Sequence, residues 1–89
     1  GAQQHFKEVL RYVPDDPEVH YYYAQALGRD RQMFLAHLHM AYSSLYGGDQ
    51  RKAQDNFKKA GDLAQTPAEK DALKRYEDRA KERRDLLGP

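Results

Sequence analysis

Four histidines are the residues of this chain that could bind a metal ion or transfer protons near neutral pH. His37 and His39 are two residues apart, so on a helix their side chains point about 200° from each other and cannot share a metal. His5 and His20 have no histidine at the four-residue step that would form a ligand pair on one helix face, and the nearby Glu8 and Glu18 do not lie at that step either. We therefore expect no metal site and no cofactor, and structural or solvent-facing roles for the histidines.

The candidate nucleophiles lack the surroundings that nucleophilic catalysis requires. Ser43 and Ser44 fall inside a helical pattern, whereas a catalytic serine of the hydrolase type sits on a strained turn between a strand and a helix. The pair Gly47-Gly48 lacks the following glycine and lysine of a phosphate-binding loop. The chain has no cysteine, which excludes disulfides, thiol catalysis and thiolate metal sites. We expect that this chain is not an enzyme.

Length and charge exclude further classes of function. A chain of 89 residues forms one domain with one modest core. With 15 basic and 14 acidic residues, the formal charge of +1 provides no field that would concentrate nucleic acid or an anionic membrane. No apolar run approaches the roughly 20 residues that span a bilayer. We expect neither nucleic-acid binding nor membrane insertion, whereas the oligomeric state stays open.

The elements that must position these residues are all predicted to be helices. Asp16 before a proline is an N-cap signal, Gly28 is a stop signal, and Thr66 with Glu69 forms a capping box. Pro14 ends the first helix, because proline cannot continue one. The pattern predicts five helices, at residues 2–13, 17–27, 31–46, 50–64 and 67–86. Their short connections predict an all-α stack of antiparallel helical hairpins.

A spacing of small and aromatic residues recurs along the chain. Ala53, Phe57 and Ala60 in the fourth helix match residues 2, 6 and 9 in the first, at an offset of 51 residues. This pattern resembles the second helix of a tetratricopeptide (TPR) repeat, with one 34-residue repeat at 34–67 and the helix at 67–86 as a C-terminal cap. The resemblance implies a short TPR-like superhelix spanning 1–89. Because the offset is one and a half repeats, we expect the third helix to pack on both of its sides.

Three positions depart from the TPR pattern. Ser44 stands where a large aromatic residue is usual, His20 where tryptophan is often found, and Pro67 arrives two residues late. These departures leave the geometry around the third helix open.

A narrower resemblance rests on the runs "AHLHMA" and "YGGDQRKAQDNFKKAGDLA" and on the long charged final helix. Residues 15–87 are similar to the C-terminal TPR-like region of bacterial zinc metallopeptidases related to CAAX-processing proteases. In these proteins an H-E-x-x-H helix of a separate domain binds the zinc, and that motif is absent here. The resemblance implies a piece of a longer chain that recognises substrates or partner proteins, or regulates the protease, in the periplasm or cell envelope.

Two other readings stay open beside the metallopeptidase hypothesis. The chain could be a general TPR scaffold unrelated to a protease, in which case we expect a cytoplasmic location. It could also be a structural helical cap whose apolar surface is covered by the rest of its own chain or by self-association. A small enzyme or metal protein is disfavoured, because the required constellations are missing.

The seven tyrosines suggest where a protein partner would bind. Tyr21, Tyr22 and Tyr23 point to three sides of the second helix, so at least one of them should meet solvent or a partner. On the third helix we expect Ala36, Met40 and Ser44 to face the fourth helix, which leaves a second apolar side without a complete cover. The predicted binding surface consists of Tyr21, Gln25, Leu35, Leu38, Tyr42 and Tyr46. It lacks the Lys, Asn and Arg residues with which some TPR domains grip a terminal carboxylate, so no such clamp is expected.

Overall fold

The computed structural model describes residues 1–87, and these residues form five helices and no strand. The helices are α1 (Ala2–Val9), α2 (Pro17–Arg29), α3 (Met33–Gly47), α4 (Gln50–Leu63) and α5 (Pro67–Leu86). The radius of gyration of 12.4 Å is close to the value of about 12 Å for a compact domain of this length. The predicted all-α stack of helical hairpins is confirmed.

Helices α2, α4 and α5 begin at the predicted residues 17, 50 and 67, and each has a side-chain cap. The carboxylate of Asp16 accepts hydrogen bonds from the backbone N–H groups of Glu18 and Val19, at 2.9 and 3.1 Å. Asp49 accepts from a backbone N–H in the first turn of α4. The hydroxyl of Thr66 accepts from the third residue of α5, whose carboxylate in turn accepts from the Thr66 N–H. These bonds satisfy N–H groups that a helix start leaves without a partner.

The stop predicted at Gly28 is wrong, because α2 continues through Gly28 to Arg29. The left-handed residue that ends the helix is Arg31, with φ of 60°. The backbone N–H groups of Arg31 and Gln32 donate to the carbonyls of Gly28 and Leu27, which is the Schellman arrangement of a helix end. This turn occupies residues 30–32, so α3 begins at residue 33 instead of 31.

Helix α1 is also shorter than predicted, ending at Val9 instead of residue 13. The N–H groups of Arg11 and Tyr12 donate to carbonyls three residues earlier, so the chain tightens after the helix. Pro14 restricts only the residue directly before it, so the early end of the helix follows from this tighter turn.

Helix α3 packs against α2 on one side and against α4 on the other, as the repeat spacing predicts. A cluster formed by Phe34, Leu38 and Ala41 of α3 buries Ala60 of α4 and Tyr76 of α5. A second cluster joins α3 to α2 through residues 23, 27 and 36. The packing of α4 through its small residues is confirmed, with residues 53 and 60 buried.

The expected sides of α3 need correction. Ala36 belongs to the cluster with α2, and Leu38 belongs to the cluster with α4, the reverse of the prediction. Positions 34, 38 and 41 form one stripe at helical spacing, and the methyl side chain of Ala60 lets α4 approach this stripe closely. Leu38 is therefore core, with 4% of its surface exposed.

The aromatic residues of α5 and α4 attach the last helix. The Tyr76 ring stacks on Phe57 at a centroid distance of 5.0 Å and meets Tyr42 edge-on at 4.9 Å. This contact holds α5 beside the end of α3 where Tyr42 and Tyr46 lie. Along residues 1–87, none of the helices combines the length and the apolar character that crossing a membrane requires.

Candidate protein-binding groove

An open groove of about 640 Å³ lies between the turn after α1, helices α2 and α3, and one residue of α5. Its central wall consists of five ring side chains, which are His20, Tyr23, His39, Tyr42 and Tyr46. Leu10, Pro14 and Leu35 add apolar surface, and Lys7, Arg11 and Arg79 add the cations. The groove thus combines aromatic walls with a basic rim.

The predicted binding surface divides into three groups in the structure. Leu35, Tyr42 and Tyr46 line the groove together. Tyr21 lines a separate cavity of about 340 Å³ that also contains Met40. Gln25 is exposed and outside both cavities, whereas Leu38 is buried and offers no surface to a partner.

The rings of the groove form a continuous row along α3. The His20 ring is nearly parallel to the rings of His39 and Tyr42, with centroids 5.2 and 5.1 Å apart. Tyr42 in turn stacks on Tyr46 at 5.9 Å. Tyr23 closes the other end of the row, with its ring centroid 4.6 Å from that of His39. Such rings present rigid apolar surface that loses little side-chain entropy on binding.

Sequence reasoning missed that His20 and His39 are hydrogen-bonded to each other. Their Nδ1 atoms lie 3.0 Å apart, and His20 Nε2 lies 2.7 Å from the carbonyl oxygen of Pro14. The two histidines are 19 residues apart on neighbouring helices, so a search along one helix face cannot find the pair. His37 lies elsewhere, with Nδ1 3.2 Å from the side-chain oxygen of Asn56.

Burial keeps this histidine pair neutral near pH 7. Burial is the larger cause and the neighbouring His20 the smaller one, and together they lower the pKa of His39 to about 3. Burial also lowers the pKa of His20, against the raising effects of the Pro14 carbonyl and of Asp16 and Asp15. No group of three histidine, aspartate or glutamate side chains within residues 1–87 could hold a metal ion.

Helix α5 fixes Tyr46 at one end of the groove. Arg79 Nε donates to the Tyr46 hydroxyl at 3.1 Å, and Arg83 Nη2 donates to the Tyr46 carbonyl at 3.3 Å. Both guanidinium groups lie near the ring, at 5.6 and 5.3 Å from its centroid. These contacts hold the phenol in one orientation and bring positive charge to the groove.

Two of the three cations that line the groove have a carboxylate partner. Arg11 pairs with Glu8 and Arg79 pairs with Glu82, each at 3.3 Å. Lys7 makes no ion pair with another residue in the range 1–87. Because none of the groove-lining residues within 1–87 is an aspartate or glutamate, the surface of the groove favours an occupant that carries negative charge.

No protein-family model, curated protein sequence or solved structure matches this chain. The TPR and metallopeptidase resemblances accordingly stay predictions from the sequence.

Proposed function

We propose that this chain is a non-catalytic module that binds a segment of protein or peptide in the groove between α1, α2, α3 and α5. The observation that carries the proposal is the row of stacked rings along an open cavity of about 640 Å³. Aromatic rings are enriched at protein interfaces because they bury a large area and keep a polar edge. A site that anchors one or two side chains of an extended segment fits this surface.

The charges that line the groove restrict the class of partner that we propose. Lys7, Arg11 and Arg79 line the groove, and none of its other lining residues in the described part of the chain is an aspartate or glutamate. An acidic segment would be attracted during its approach and would keep its carboxylates at the wet rim, while an apolar or aromatic side chain enters between the rings. We therefore propose a segment that combines acidic residues with an apolar anchor.

In the narrower version of this proposal, the module is the accessory C-terminal part of a bacterial zinc metallopeptidase in the periplasm or cell envelope. The similarity of residues 15–87 supports this version, and the zinc would belong to a separate catalytic domain. The groove would then take a substrate, a partner or another segment of the same chain. An H-E-x-x-H motif elsewhere in the parent sequence favours this version, whereas an array of 34-residue repeats favours a general TPR scaffold.

The binding proposal is tested with peptides selected from a random displayed library against the 89-residue chain. We expect the best peptides to be acidic with an apolar anchor. Tyr46→Ala should weaken their binding at least about tenfold, as loss of a central aromatic contact commonly does. The matched control is Tyr12→Ala, since Tyr12 is 80% exposed and lies outside the groove.

Thermal unfolding of both variants shows whether they are folded. An equal loss of binding in the Tyr12 variant, or unchanged binding in a folded Tyr46 variant, would contradict the assignment of the groove. A clear preference for basic peptides would contradict the proposed charge of the partner.

A further inference from the structure

The hydrogen bonds of the histidine pair determine which nitrogen atoms carry protons. The carbonyl oxygen of Pro14 can only accept, so His20 Nε2, 2.7 Å away, must carry a hydrogen. In a neutral imidazole the other nitrogen is then an acceptor. His39 Nδ1, 3.0 Å from His20 Nδ1, must therefore donate, which leaves His39 Nε2 without a hydrogen. The pair thus holds His39 in one tautomer.

The free nitrogen of His39 faces open space. His39 Nε2 makes no hydrogen bond with another described residue, yet no buried side-chain polar atom within residues 1–87 lacks a partner. Most of the His39 side chain is buried, but this nitrogen without a partner must belong to the part that solvent still reaches. The cavity that His39 lines is the groove. An occupant that covers this nitrogen without supplying a hydrogen-bond donor would bind less tightly, because removing water from an unpaired acceptor costs free energy.

The surroundings of this acceptor restrict which donor can reach it. Lys7, Arg11 and Arg79 line the same groove and repel a lysine or arginine side chain. The rings of Tyr23 and Tyr42 lie 4.6 and 5.7 Å from the His39 ring, centroid to centroid, and favour a flat apolar body. The matching side chain is an aromatic ring with a neutral O–H or N–H group at its edge.

We infer that His39 Nε2 is the specificity-determining acceptor of the groove, and that it selects a tyrosine or tryptophan as the anchoring side chain of the bound segment. This inference rests on the proposed function, because it concerns the occupant of the same groove. Pro14 and His20 are positioning groups, since they act only by holding His39 in its tautomer. A phenylalanine anchor would fit the rings but leave the acceptor without a partner.

The tautomer is tested first, on the unmodified 89-residue chain. Nitrogen NMR of isotope-labelled imidazole rings near pH 7 distinguishes the two neutral tautomers. We expect His20 with its hydrogen on Nε2 and His39 with its hydrogen on Nδ1. A His39 ring with its hydrogen on Nε2 would overturn the inference without touching the proposal that the groove binds peptides.

Selectivity is tested with two probes that differ by one hydroxyl, N-acetyltyrosinamide and N-acetylphenylalaninamide. Titrations followed by NMR should show about three- to tenfold tighter binding of the tyrosine amide, the ratio that one net hydrogen bond provides. In His39→Leu we expect a ratio near one. The control His37→Leu should keep the preference, because His37 bonds to Asn56 and does not line the groove.

The outcomes distinguish the role of His39 from the proposal that the groove binds peptides. Equal affinities for the two amides, with shifts confined to groove residues, would overturn the role of His39 and leave the groove as a binding site. Shifts confined to residues outside the groove, or binding of neither amide, would contradict both. The tautomer measurement decides the inference even where His39→Leu does not fold, because it needs no variant.

Discussion

Two sides of α3 differ in how closely they are packed. Toward α4, Phe34 and Leu38 pack around Ala41 and Ala60, and neither alanine exposes any surface. Toward the groove α3 presents the rings of His39, Tyr42 and Tyr46, which stack on their neighbours and still leave a cavity. Small residues let two helices pack in close contact, whereas the row of large rings leaves an unfilled groove beside the helix. One helix thereby contributes both to stability and to the proposed recognition.

The largest effect is expected where the two sides meet, at Tyr76. This residue is 4% exposed and contacts Phe57 on α4 and Tyr42 beside the groove. Tyr76→Ala should lower the free energy of unfolding by about 3 to 5 kcal/mol, as other truncations of buried aromatic residues do. Urea unfolding measures it, with Tyr12→Ala as the exposed control. A loss below about 1 kcal/mol would mean that α5 is not anchored through this ring.

The close-packed side is tested by overpacking it. Ala60→Leu should force α4 away from α3 and cost about 1 to 3 kcal/mol. The neighbouring Lys59→Leu adds a leucine at an exposed position and should change stability by less than about 0.5 kcal/mol. Equal unfolding midpoints for the two variants would show that the α3–α4 contact is less tightly packed than the structure shows.

The groove side should respond to pH through its histidines. The folded pKa of His39 is about 3, well below 6.5, so the unfolded chain binds more protons between these values and stability falls as the pH falls. Lowering the pH from about 7 to about 5.5 should cost about 1.4 kcal/mol through His39, with a further loss through His20, whose pKa is also lowered. The carboxylates of Asp15 and Asp16 reduce the contribution of His20.

Urea unfolding at the two pH values measures this dependence. His39→Leu should flatten it, because the residue that resists protonation in the folded state is gone. His37→Leu should keep it, since His37 lies outside the pair. If the free energy of unfolding changes equally with pH in the unmodified chain and in both variants, the pH dependence comes from other groups.

The smallest effect is expected at the rim. Arg79→Met removes the hydrogen bond to the Tyr46 hydroxyl and the charge above its ring, and should cost about 0.5 to 1 kcal/mol. The substitution should reduce the binding free energy of an acidic peptide by more than it reduces the free energy of unfolding. The exposed Arg84→Met, outside the groove, serves as the control in the same unfolding and titration series. If the two variants bind an acidic peptide equally well, the rim charge has no role in recognition.

Local signals predicted most of the fold. The caps at Asp16 and Thr66 and the spacing of Ala53, Phe57 and Ala60 were sufficient for five helices and for the packing of α4. The end of α2 was not predictable in this way, because Arg31 adopts a left-handed conformation that glycine normally occupies. The early end of α1 follows from the tight turn before Pro14, which a helical apolar pattern does not reveal.

The candidate site was only partly predictable. An apolar stripe on α3 found Leu35, Tyr42 and Tyr46, because residues at helical spacing share a face whatever the neighbouring helix does. The same stripe misplaced Leu38, since spacing does not say which neighbour covers a residue. The pairing of His20 with His39 depends on how α2 docks on α3, and no pattern within a single helix contains that information.

We propose that the bound segment occupies the groove and no other surface. Backbone amide chemical shifts, recorded while a library-selected peptide is titrated into the 89-residue chain, locate the segment. We expect the largest shifts at Leu35, His39 and Tyr46, with little change around Tyr21 and Met40. Shifts concentrated at Tyr21 and Met40, with the groove residues unmoved, would contradict it.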